Sequence, residues 1–387
     1  MDNLNFDVVI CGGGPGGSAC AMGFVGTNLK VAVIEKTLYP REKVCGDGMA
    51  PYIPKALHKM SPEFKTAFDG FNQRLAINNV KVIAYNGKTF QIPFPEPWFV
   101  SRRYHFDNFL YQQASSLPNV TFFLEEQVTE VVVSENIVNI QTNKNRKITS
   151  NLIIGCDGAT SIVRRQLSNY QLEGANHCVA LRAYYSNVEN VQLDTFEFHF
   201  IPKYPNGYFW VFPSENGEAN VGFGTLSNEV TDQNLKLKDI FLSIIEQTPH
   251  LKNRFKNAKL IGSIKGWGIP LGYKKHTISG DRFMLVGDAA SVADPLSGEG
   301  IGQAIVTGRI AAFQAIKCFE ANNFSEKFLR HYDTEVEKKW GKQNRNRKIL
   351  SNIFSSHQSV LNRLVSILSK QNLISNLLIK TILKFTS

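Results

Sequence analysis

The chain has no hydrophobic run that approaches eighteen residues, so nothing in it reads as a membrane span. It also lacks a basic stretch ahead of its first apolar run; MDNLNFDVVI does not have the build of a signal peptide. Six cysteines stand at 11, 20, 45, 156, 178 and 318 with no C-x-x-C pair among them. That spacing excludes a zinc ribbon or a disulfide framework and suits reduced thiols in a cytoplasmic protein, with no metal expected. Internal repeats and low-complexity linkers are absent. Acidic residues vanish after Glu337: from Lys338 to Ser387 there are ten Lys or Arg and no Asp or Glu. Taking those ten from the 43 basic residues leaves 33 against 33 acidic ones. The net charge of +10 therefore belongs to the tail, and the body is not built to bind nucleic acid.

What is present fits a large globular chain. With 387 residues, 43% of them hydrophobic, it can bury more than one ordinary core. FDVVICGGGPGGSACAMGF followed by KVAVIEK reads as strand, glycine loop, small-residue helix and second strand ending at Glu35. Gly12, Gly14 and Gly17 satisfy G-x-G-x-x-G. The first glycine allows a tight turn, the second close approach to a pyrophosphate, and the third close helix–sheet packing. The helix N-terminus, with Pro15 and Gly16, then faces phosphate. Glu35, 23 positions after Gly12 and followed by Lys36, is placed to accept hydrogen bonds from a ribose. The expected ligand is an ADP-containing dinucleotide, FAD or NAD.

Two later strand ends carry aspartates: GCDGATS with Asp157 and Gly158, and GDAA with Gly287 and Asp288, the latter followed by Asp294-Pro295 and Gly298-Glu299-Gly300-Ile301. A helix opening there would set partial positive charge against the pyrimidine edge of a flavin. Singly, either aspartate is equally a helix cap; together they favour FAD. Between them, residues 178–226 alternate in the manner of antiparallel strands, as does roughly 71–99. In the stretch PNGYFWVFP, Tyr208, Trp210 and Phe212 face one way and Phe209 the other. Such a strand either packs as plain core or walls an apolar tunnel. No second G-x-G-x-x-G is present, so NAD(P)H or another electron donor would act transiently.

These motifs resemble those of the flavoprotein monooxygenase superfamily, the one with a p-hydroxybenzoate hydroxylase-like fold. The resemblance implies that Arg103 and Val128 approach the FAD, and that Asp288 serves the ribityl chain. Within the superfamily, P-x-x-Y-x-W-x-F-P (Pro205 to Pro213) and Lys43-x-Cys45-Gly46-Asp47-Gly48 are similar to the geranylgeranyl reductase patterns. There the first lines an isoprenoid cavity and the second lies against the flavin ring. Glu299 stands where that family often has a third glycine. A halogenase would have Trp for Tyr208 and Ile for Phe212, so halogenation is disfavoured; an aromatic hydroxylase remains the rival, and a non-catalytic FAD carrier a third reading.

The expected fold is α/β: a Rossmann-type FAD-binding domain (1–70, 100–177 and 278–325), an inserted, mainly antiparallel substrate-binding sheet domain (71–99 and 178–277), and a helical C-terminal region (326–387). The expected reaction is hydride transfer from flavin N5 to a double bond of a prenyl chain. Cys45 is the catalytic candidate nearest the ring, and Tyr208, Trp210 and Phe212 contact the substrate. Leu361, Leu364, Val365 and Leu368 lie on one helical face amid basic residues. They predict either peripheral contact with the inner face of a membrane or a helix pair packed on the body.

Overall fold

The structure is a computed structural model describing residues 4–232 and 236–370. Its first sheet has a parallel centre: Leu4–Cys11 lies between Val31–Glu35 and Lys147–Gly155, with Val120–Leu124 and Phe283–Leu285 outside them. These strands are near-continuous Val and Ile because both faces are covered. Register matters here. Cys11 is level with Ile34 on one side and with Gly155 on the other. The turns after three strands therefore open at one edge, where parallel sheets of this kind hold ligands.

The helix after the glycine loop, Pro15–Met22, is buried at every residue. After Pro15 it consists of Gly, Ser, Ala, Cys and one Met because it lies against the long helix Ile301–Glu320 with almost no gap. A Cβ on Gly308 would come within 2.2 Å of the Gly16 carbonyl oxygen, and one on Gly23 within 2.5 Å of the Ala312 Cβ. Small residues, rather than a hydrophobic stripe, make this contact possible.

The second sheet runs Lys259–Pro270, His177–Ser186, Ala219–Leu226, Gly207–Pro213, Thr195–His199, Leu75–Ile83, Thr89–Val100, Gly48–Met49. Every pairing is antiparallel except Thr195–His199 against Leu75–Ile83. Alternation in Gly207–Pro213 sorts its rings as the sequence predicts. Phe209 and Val211 point to a core closed by the helix Leu237–Gln247, with Phe209 5.8 Å from the Phe241 ring. Tyr208, Trp210 and Phe212 point to the other face, beside Phe196, Phe198 and Trp98. Phe223 belongs to the helix-covered side.

The last described elements are helices Glu326–Val336, Lys342–Ser356 and Gln358–Leu368. Leu361, Val365 and Leu368 are buried against Phe90 of the second sheet and against Ala84 and Tyr85 in the turn that precedes its strand. Each such side chain contributes about 1.5–3 kcal/mol when removed from water. The apolar face read as a membrane candidate is thus used on the body as far as Leu368. Its continuation through Leu373, Ile374, Leu377, Leu378 and Ile382 lies outside the described residues. No helix among the described residues is long and apolar enough to cross a membrane.

Candidate active site

Two cavities meet between the sheets. The first, of about 400 Å³, opens at the ends of the parallel strands. All the cofactor candidates line it except Gly17 and Pro295: Gly12, Gly14, Pro15, Gly16, Glu35, Lys36, Cys45, Gly46, Arg103, Val128, Asp157, Gly158, Gly287, Asp288, Gly298, Gly300 and Ile301. Gly17 acts by packing instead, since a Cβ there would lie 1.8 Å from the Gly12 carbonyl oxygen. Pro295 lines the second cavity.

The loop geometry follows from its glycines. Gly12 sits at φ +96°, where a side chain would also strike the Cys156 carbonyl at 2.5 Å. Glu35 is buried and splits its carboxylate: Oε2 accepts from the Gly13 N–H at 2.8 Å, Oε1 from the Thr37 hydroxyl at 2.7 Å and N–H at 3.1 Å. The loop is thereby tied to the end of the second strand. Asp157 caps a helix and also lines the cavity. Its Oδ2 accepts from the Ile162 N–H at 2.6 Å, capping a short helix, while Oδ1 is buried with no partner in a residue that lines the cavity. Arg164 joins the two aspartate loops, donating to the Ala159 carbonyl at 2.6 Å and the Ala289 carbonyl at 3.3 Å.

Cationic groups gather toward the inner end. Arg103 grips Asp107 through two bonds of 2.6 and 2.8 Å, and Arg41 adds a third contact at 3.0 Å. Lys43 lies 3.6 Å from the Trp267 ring centre; burial, with Arg103 nearby, holds its ammonium down at about 8. Burial pushes the Cys45 thiol up, despite the opposing Arg103 charge, so the thiol keeps its proton at neutral pH. The cradle suits FAD: a buried carboxylate for the ribose, a side-chain-free turn for the pyrophosphate, an unpartnered aspartate oxygen and cations for the ring's electron-rich side.

The second cavity, of about 300 Å³, is walled by Phe94, Trp98, Phe196, Phe198, Phe200, Tyr208, Trp210 and Phe212, with Ile269 and Leu271. Its outer wall is the helix Lys342–Ser356, through Lys348, Ser351, Asn352 and Phe354. Cys45, Gly46, Ala180, Trp210, Ile269, Gly298, Gly300 and Ile301 border both cavities, so the two adjoin. Trp210 is only 6% exposed, yet it borders a void rather than solid core. That void separates a tunnel wall from a packing strand.

Several residues that hold this junction carry no motif. Asn220 accepts from the Trp210 indole N–H at 3.0 Å and donates to the Cys45 carbonyl at 2.9 Å and to Asp47 at 2.8 Å. One amide thus fixes the aromatic strand to the Cys45 loop. The Tyr184 hydroxyl also donates to Asp47, which sits at φ 64° with burial lifting its carboxyl to about 6. Gly222 is bare because Trp210 occupies its side-chain space: a Cβ would lie 2.0 Å from the indole. The Tyr208 hydroxyl donates to the Ser297 carbonyl, joining the tunnel wall to the loop before the long helix. Glycine in an alternating strand was the available signal for Gly222; Asn220 gave none.

A Rossmann-type sheet with this glycine loop, beside an aromatic tunnel at the inner end, defines a dinucleotide-binding protein with a separate apolar chamber. The model of the FAD binding domain family matches residues 55–338, and the chain belongs to that family; it is an FAD-dependent oxidoreductase. Similar proteins include the digeranylgeranylglycerophospholipid reductase of Methanococcus vannielii, 29% identical over 340 residues (87% of this chain, 83% of the relative). Its counterpart in Thermoplasma acidophilum is 27% identical over 394 residues (98% and 95%). The menaquinone reductase of Mycobacterium tuberculosis is 27% identical over 330 residues (79% and 75%). Among solved structures, a geranylgeranyl bacteriochlorophyll reductase-like protein from Thermoplasma acidophilum superposes with TM-score 0.85 at 24% identity (99% of this chain, 96% of the other). A flavin-dependent brominase superposes with TM-score 0.78 at 20% identity (99% and 94%). At those identities the superpositions describe the fold.

Proposed function

We propose that the protein saturates carbon–carbon double bonds in the isoprenoid chain of a lipid. The observation that carries this reading is the aromatic tunnel that adjoins the glycine-loop cavity at Cys45, Gly46 and Trp210. The names of the reductase relatives point the same way. FAD, when bound and reduced, supplies the hydride from N5. The protein's share is to lay an apolar chain against the tunnel wall, exclude water and provide a proton. Tyr208 and Trp210 are the orienting rings, each fixed by a hydrogen bond at its polar end. Cys45, at the junction, shapes the approach to the ring; a thiol held protonated by burial is too weak an acid to serve the alkene. NAD(P)H or another carrier is the transient reductant, in keeping with the single dinucleotide fingerprint.

Substrate entry is proposed from a membrane surface. The helix Lys342–Ser356, whose inner side walls the tunnel, exposes Ile349 and Ile353, and the next helix exposes Val360 and Ile367. These sit among the basic residues of the tail, a combination that favours an anionic bilayer. Replacing the four with Ser is expected to reduce cosedimentation with anionic vesicles; unchanged cosedimentation would contradict this route.

The reaction itself is tested by anaerobic reduction followed by addition of a geranylgeranyl lipid. Mass spectrometry should show two hydrogens gained per double bond, with matching flavin reoxidation. Reoxidation that needs oxygen and an aromatic compound, with the chain left unsaturated, would favour the hydroxylase instead.

A further inference from the structure

An isolated alkene accepts a hydride only if a proton reaches its other carbon, and the tunnel must supply that proton without bulk water. Five titratable side chains line the tunnel among the described residues: Cys45, Cys178, Tyr208, Glu299 and Lys348. Tyr208 is spent on the Ser297 carbonyl, and burial raises it and both thiols, Cys178 to about 12. Lys348 lies on the outer-wall helix and borders the tunnel alone. Glu299 differs in position. Its chain neighbours on both sides, Gly298 and Gly300, border both cavities, and Glu299 itself borders the tunnel between them.

The carboxyl is held in place. The Gly302 N–H, in the first turn of the long helix, donates to Oε1 at 2.6 Å, and the Tyr52 hydroxyl donates to Oε2 at 3.1 Å. The charged pair Asp294 and Arg347 lies in the adjoining loop and the helix Lys342–Ser356, and the Arg347 charge also acts on Tyr52. Burial outweighs the hydrogen bonds and lifts the Glu299 carboxyl to about 7. Around neutrality it can therefore both give up a proton and regain one.

Resting on the reading of the protein as a prenyl-chain reductase, we infer that Glu299 is the catalytic acid that protonates the alkene. As the π bond breaks, one carbon takes the hydride from the reduced cofactor and the other takes the Glu299 proton. The products are a new C–H bond at each carbon and a carboxylate held by the Gly302 N–H and the Tyr52 hydroxyl. A water proton restores the acid through Tyr52, which is partly exposed and whose hydroxyl both donates and accepts. The glutamate replaces a glycine often found in the resembling family, so this chain carries its own proton source at that place.

The test compares FAD-loaded wild type with Glu299→Gln, which keeps an acceptor for the Gly302 N–H, and with Tyr52→Phe. Glu299→Gln is expected to bind FAD and be reduced by dithionite as wild type does, while chain saturation slows about 100-fold or more. Wild-type saturation should fall as pH rises through about 7, with the residual Glu299→Gln rate flat across that range; Tyr52→Phe should shift the midpoint. Infrared difference spectra without substrate should show a protonated carboxyl titrating near that pH in wild type and missing from Glu299→Gln. A wild-type saturation rate in Glu299→Gln, or a carboxyl band that the substitution leaves in place, would overturn the assignment while leaving the reductase reading intact. If wild type saturates no prenyl chain although the carboxyl band titrates, the reductase reading itself has failed.

Discussion

At the scale of single residues, Glu35 shows why part of the site could be read from sequence. Its role depends on a spacing of 23 from Gly12 along one continuous strand–helix–strand unit, and local geometry fixes such a spacing. Asn220 shows the opposite. It joins Trp210 to a loop 175 positions earlier, through side-chain bonds that no local pattern encodes. Arg41 was invisible for the same reason: the fold, rather than the spacing, brings it beside Asp107 and Arg103. Replacing Glu35 with Gln removes the charge that accepts the Gly13 N–H and would accept the ribose hydroxyls. The expected loss is about 1–3 kcal/mol, or roughly 10- to 100-fold in FAD affinity, by flavin fluorescence titration. Undiminished affinity would remove Glu35 from the site.

At the scale of elements, the aromatic strand was legible because alternation is a two-residue rule, and both of its faces came out as predicted. The C-terminal helix was legible as amphipathic but not in what its apolar face meets. Periodicity shows that a face will be covered and says nothing of the cover; for Leu361, Val365 and Leu368 it is the second sheet. Another element had no signal at all. The helix Pro249–Arg254 is fastened to the far face of the second sheet through Arg254, which bonds Glu197 at 2.7 and 3.2 Å, and through His250, 3.1 Å from His199. His199 and Glu197 are almost fully buried, with Arg254 and Lys81 as the cations facing them. Burial and the neighbouring His199 lower His250 to about 4. Burial would raise Glu197, but its bonds to His199 and Arg254 hold it near 2. Both groups titrate below their unfolded values, so the unfolded chain binds more protons in acid. Their stabilisation is complete above about pH 6.5 and declines from there toward pH 2. Thermal stability should accordingly fall from pH 6.5 to 4, and His250→Gln should flatten that stretch of the profile. An unchanged slope would contradict the arrangement.

At the scale of the whole molecule, the parts have separate duties that the sequence already divides by texture. Glycine-rich turns on a parallel sheet line one cavity, and an aromatic antiparallel sheet lines the other. The acid-free tail encloses the tunnel from outside through its first helix. The account depends on one arrangement, an apolar chain lying along that tunnel with a double bond at the junction beside Cys45 and Glu299. A crystal structure of the protein with oxidised FAD bound, soaked with a geranylgeranyl lipid, measures this directly. The account predicts chain density running past Phe198, Tyr208 and Trp210 to the flavin ring. Density for the lipid elsewhere, with the tunnel filled by side chains or water while the enzyme still turns over, would contradict it.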